Sequence, residues 1–183
     1  MASLFERVTW WLRPPPEKRF DPLWIALRSR GASRELVRWA EPFGDDLDAA
    51  WAACPRAEWL IEIAARVGVS PIRVVAALDE LSTHGTSRTF ASARPLAGQA
   101  DALELFVDAA RATVSELVES RPEVRAAIDA CRKLERAEHA AASQIADDTY
   151  AEAQRELASI VRRRIRADEI RVCLEGIGGH PYR

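Results

Sequence analysis

Apolar residues along this chain recur at helical spacing throughout, and no stretch alternates apolar and polar positions over the length of a strand. The pattern predicts an all-α fold, and its punctuation predicts where the helices lie. Asp21 and Pro22 pair an N-cap with a proline at the first helical position, and Gly31 closes that helix. Ser33 caps a second helix that runs through Trp39 and stops before Pro42. "GDDLDAAWAAC" opens a third, with aspartates at its positive end. Pro55 opens a fourth that ends at Gly68, and Ser70-Pro71 opens a fifth that "THG" closes near Gly85. Residues 82–95, "STHGTSRTFASARP", read as a long polar loop with Phe90 as its one apolar anchor.

The second half has a different character. In "DALELFVDAARATVSELVES", Leu103, Phe106, Val107, Ala110 and Leu117 line one face, and Asp101, Glu104, Asp108 and Ser115 the other. Between Glu123 and Glu175 there is neither glycine nor proline, which predicts very long helices. Pro122 starts one whose stripe is Val124, Ile128, Cys131, Leu134, Ala141 and Ile145. "TYAE", residues 149–152, has capping-box spacing and predicts a break near Asp147-Asp148. The next helix then uses Leu157, Ile160, Val161 and Ile165, and Asp168 caps a last one ending at Gly176. Alanine-rich faces let helices approach closely, so the expected architecture is a single-domain multi-helix bundle with short N-terminal and long C-terminal helices. Its expected limits are an amphipathic arm and proline linker over 1–16, the domain over 17–176, and a tail over 177–183.

Composition narrows the class. A chain of 183 residues, 48% hydrophobic and 30% charged, suits one globular domain with its own core. The net charge of −2 supplies no overall positive field toward nucleic acid or anionic lipid. Cys54, Cys131 and Cys173 are odd in number and form no CxxC pair, as free thiols in a reducing cytoplasm do. Glu6 and Arg7 interrupt the N-terminal apolar run, so neither a secretory signal nor a membrane span is expected. Leu4, Phe5, Val8, Trp11 and Leu12 share a helical face there, which predicts a short helix folded onto the domain, with an arm that contacts a partner or a membrane surface as the alternative.

"RVGVSPIRVVAALDEL", residues 66–81, carries the turn grammar of a helix-turn-helix. Ala64 is the small residue before the turn, Gly68 the left-handed one, and Val69 and Val74 fill the angle beneath it. The reading face would then be Ser70, Pro71, Ile72, Val75, Ala76 and Asp79, without an arginine, lysine, asparagine or glutamine for base edges. Residues 60–84 hold Arg66 and Arg73 against Glu62, Asp79 and Glu80. A DNA-binding regulator is therefore the second reading, and the first places Val74, Val75 and Leu78 in a core and leaves Arg73, Ala77 and Glu80 outside.

Immediately upstream lies "AWAACPRAEWLIEIAARVG", residues 50–68. Its Trp51, Cys54, Arg56, Glu58 and Trp59 resemble the signature AW-x-x-C-x-R-x-D-W-L-L-W-L-A of bacterial α-helical immunity proteins associated with polymorphic toxins. Leu60 and Ala64 also fit, Glu58 stands for aspartate, and Glu62 replaces the signature's last tryptophan. "RPLAGQADALELF" and the run ending "ELASIVRRRI" are similar to that family's layout, although the motif itself spans only about twenty residues. The resemblance implies an all-helical protein that binds and neutralises a cognate toxin. Read physically, Trp51 and Trp59 cover a helix junction, Arg56 pairs with Glu58 or caps a carbonyl, and Glu62 and Arg66 form an i,i+4 pair continuing a polar stripe from Glu58.

Candidate chemistry is sparse. Glu135 and His139 share a face, but the paired Glu-x-x-His of a di-metal bundle is missing, so no metal is expected. His84 lies among hydroxyls without a nucleophile elbow, and "GIGGHPYR" lacks the context of a phosphate loop. These residues predict neither catalysis nor a cofactor. Charge is the remaining signal: residues 98–120 carry five acids against one arginine, and residues 155–171 six arginines against three acids. The two segments pair with each other, or Glu104, Asp108, Arg162, Arg163 and Arg164 contact a protein partner, with a toxin domain rather than nucleic acid expected there.

Overall fold

Side-chain caps set two of the N-terminal helices, and proline and glycine mark the ends of others. The computed structural model describes residues 21–133 and 136–178, and these form ten α-helices and no strand, an all-α bundle. The predicted arm over 1–16 lies outside the described residues. α1 (Leu23–Ser29) starts one residue later than expected: Pro22 is its cap residue and no side chain caps it. Ser33 caps α2 (Arg34–Ala40), its hydroxyl accepting from Leu36 N–H at 3.4 Å. Asp46 does the same for α3 (Leu47–Ala53), accepting from Ala49 N–H at 2.9 Å. α4 (Ala57–Val67) begins past Pro55, because Cys54 and Arg56 hold extended backbone conformations. Gly68 ends it at φ +91°, where Val69 N–H returns to Ala64 O at 2.9 Å. α5 (Pro71–Leu81) follows, with proline in its first turn.

The 82–95 segment is less of a loop than its composition suggests. It holds a 3-10 turn at Ser82–His84, the short α6 (Phe90–Ala93), and a second 3-10 turn at Arg94–Leu96. Phe90 is only one of its anchors. Glu116, on α7 (Leu103–Glu119), accepts from Ser87 Oγ at 2.8 Å, Arg88 N–H at 2.6 Å and Thr89 N–H at 3.1 Å. A carboxylate from another helix thus satisfies the amides at the start of α6.

α8 (Pro122–Lys133) and α9 (Arg136–Arg164) pack on each other, and α10 (Ala167–Gly178) takes in the start of the predicted tail. The predicted break at Asp147-Asp148 does not occur, and α9 runs 29 residues through it. Thr149 bonds backward within the helix, Oγ1 to Ile145 O at 2.7 Å, so its hydroxyl is no cap. Of the predicted stripe, Val124 is fully buried, whereas Ile145 is 62% exposed.

α4 is the centre of the molecule. It packs against α7 and α9 and also meets α1, α5 and α10. Leu60, Ile61 and Ile63 are fully buried, each contributing about 1.5–3 kcal/mol through apolar area removed from water. Nine of its eleven residues are buried, so its polar side chains must find partners inside the protein.

Candidate functional site

The signature residues build the α3–α4 junction. Trp51, Cys54 and Trp59 are all buried, and the Trp59 ring lies 5.5 Å from Trp39, which meets Phe43 at 5.1 Å. Arg56 takes neither expected role. It pairs with Glu35 at 3.1 Å and stacks over the Trp59 ring at 4.6 Å. α9 closes the junction from the far side of the sequence: Gln154 Oε1 accepts from Ala57 N–H at 3.1 Å, and Arg162 Nη1 donates to Cys54 O at 2.8 Å. Gln154, 2% exposed, thereby caps α4 in place of any local side chain. No local pattern marks this role, because the partners stand 97 positions apart.

Two ionisable groups of the junction are tuned by burial. Burial pushes the Cys54 thiol up to about 12, although its contact with Arg56 O and the Arg162 charge oppose this. Burial also raises the Glu58 carboxyl, against its own backbone N–H and the Gln154 carboxamide. Glu58 Oε2 and Trp51 Nε1 are buried without hydrogen-bond partners among the described residues. The raised thiol is less nucleophilic than a free cysteine, because less of it is thiolate.

The stripe continuing from Glu58 faces inward. Glu62 is 1% and Arg66 3% exposed, joined at 2.8 Å. Arg66 reaches both carboxylate oxygens of Glu104 at 2.8 Å, and its Nη1 donates to Arg30 O at 2.6 Å. Arg111 from α7 completes the set on Glu62 Oε2, and Ser33 N–H donates to Glu62 Oε1 at 3.4 Å. This network gives the buried Glu62 carboxylate partners on both oxygens. Burial works against the Arg66 charge, but the bonds from Glu104 and Glu62 outweigh it and raise its affinity for the proton. The Arg66 guanidinium in turn holds Glu104 below the usual carboxylate range.

The two charge runs do not pair with each other. Arg163 and Arg164 both reach Glu80 on α5, and Arg162 serves the junction. Arg163 and Arg164, expected at a partner surface, remain 61% and 52% exposed despite these pairs. Arg73 likewise bridges to Glu169 at 2.7 Å and to Arg164 O at 2.5 Å. The α5 surface departs from the sequence reading in two places, because Ala77 is buried and Val75 half-buried; Ile72 is 80% exposed. Ala77 falls on the same helical face as the buried Val74, Leu78 and Leu81, and Ile72 lies off that face.

The start of α7 and the 3-10 turn before it also present an outward face. Asp101, Leu105 and Asp108 stand at i, i+4 and i+7 and are all exposed, Leu105 at 62%, with Glu104 beside them. Phe106, Val107 and Ala110 on the opposite side are buried, so the helix holds these groups in fixed positions. Elsewhere, Cys131 Sγ lies 3.6 Å from His139 Nε2, and among the described residues no three histidine, cysteine or acidic side chains gather at one point. No described helix is long and apolar enough to cross a membrane. Comparison of the chain with protein-family models, curated proteins and solved structures finds no significant match.

Proposed function

We propose that this chain is a non-catalytic protein-binding module, an immunity protein that neutralises a cognate bacterial toxin domain by covering its active surface in the cytoplasm. The observation that carries the reading is the outward face of α7, an exposed leucine flanked by carboxylates on a helix whose inner side is locked in the core. An apolar contact with a charged rim is the usual anatomy of a protein interface. Its complement is a toxin surface with an apolar spot ringed by lysine or arginine, and the charges chiefly accelerate association. The signature resemblance supports the same reading through the α3–α4 junction, which sets the pose of α4 and hence of α7.

Co-expression with a toxin encoded by the adjoining gene tests this. The expected result is restored growth and a complex that Leu105→Glu with Asp108→Lys weakens at least tenfold, while Arg163→Ala leaves it unchanged. Persistent toxicity with folded, well-expressed protein overturns the reading. Salt-sensitive binding to duplex DNA that Arg73→Glu abolishes would instead favour the helix-turn-helix reading.

A further inference from the structure

A cavity of about 350 Å³ opens beside the α4–α5 turn, walled by the ends of α1 and α4, the start of α7, and the chain around Gly98. Its floor is apolar, made by Val69, Val74 and Phe106, each at most 4% exposed, with Leu103 at the side. Gly98, at φ +86°, brings the covering segment against Pro71, where a Cβ would lie 3.4 Å from the proline ring. Two arginines reach this space. Arg66 is neutralised by Glu62 and Glu104. Arg30 bonds only the carbonyl of Arg66, and its other N–H groups have no protein acceptor among the described residues.

We infer that this cavity is a binding site for a small amphipathic monocarboxylate, its hydrocarbon part on Val69, Val74 and Phe106 and its carboxylate on the Arg30 guanidinium. The match is one of charge and shape. A single uncompensated cation at an apolar cavity answers one negative charge, and the planar guanidinium fork fits a carboxylate edge-on. A phosphate dianion would leave excess charge against apolar walls. At roughly 30 Å³ per water-sized unit, the volume admits a ligand of about ten non-hydrogen atoms. Burial lowers the proton affinity of Arg30, and a bound anion would offset that penalty by stabilising the charged guanidinium. The site is separate from the outward face of α7, and the inference does not rest on the immunity reading.

Calorimetric titration of the full chain with octanoate, hexanoate and 3-phenylpropanoate tests the inference, with octanamide and octylamine as controls. At least one carboxylate is expected to bind saturably at one site, with the amide and the amine at least tenfold weaker. Arg30→Gln should weaken that carboxylate about tenfold. Because Arg30 also caps α4, Ala97→Phe provides a second variant that fills the cavity from its covering segment and should abolish binding. Absence of saturable heat with all three acids overturns the inference. So do equal affinities for octanoate and octanamide, or binding that survives Ala97→Phe.

Discussion

Glu62 and Arg66 stand one helical turn apart with opposite charges, an arrangement that on a surface would be worth only a few tenths of a kcal/mol. Here both are buried, and Arg111 and Glu104 complete their partners. Removing one member therefore leaves a buried charge uncompensated. Glu62→Ala should destabilise the protein by about 3–5 kcal/mol, whereas the joint replacement Glu62→Leu with Arg66→Met should recover much of that loss. Urea unfolding checks both, and a single-variant loss below about 1 kcal/mol would show the pair to be solvated. Glu58 carries a second prediction, one of pH. Its raised carboxyl means the native chain binds that proton more readily than the unfolded chain. Its contribution is then most favourable below the ordinary glutamate value of about 4.3 and declines as pH rises toward the raised value. Glu104 and Glu116, both lowered, act oppositely: their contribution is present above about 4.3 and lost as pH falls through their lowered values. Glu58→Gln should raise the thermal midpoint more at pH 7 than at pH 4, and equal shifts at both would refute the raised carboxyl.

Among the elements, the glycines separate two physical effects. Gly68 ends α4 in the left-handed region, so Gly68→Ala should cost about 1–2 kcal/mol. Gly176 lies within α10 with nothing within 4 Å of an added Cβ, and Gly176→Ala should stabilise by about 0.5–1 kcal/mol. Urea midpoints of the two variants should move in opposite directions, and a shared direction would contradict the conformations assigned to them. These elements were legible because Ser33, Asp46 and Gly68 act on backbone groups within a few residues of themselves. The course of α9 was not. "TYAE" has the spacing of a capping box, but Thr149 found an intrahelical carbonyl instead, and a motif of four residues does not outweigh a long run of good helix formers.

At the scale of the whole molecule, charge is used mainly to hold helices together. Arg73 and Arg164 tie α5 to α10 and α9, Arg171 reaches Asp48 at 2.6 Å to bring α10 to α3, and Arg121 joins Glu156 across the α7–α8 corner to α9. Several of these pairs draw on the basic run, although Arg163 and Arg164 stay more than half exposed. The sequence by itself determined the helical class, most caps, the buried face of α7 and the tryptophan-lined corner, because each follows from periodicity or from bonds a few residues long. The tertiary structure alone decided that the Glu62–Arg66 pair lies inside, that Gln154 caps α4, that Glu116 clasps the 82–95 segment, and that Ile72 faces water while Ala77 does not. Those outcomes depend on which distant helix supplies the partner, and one-dimensional spacing carries no information about that choice.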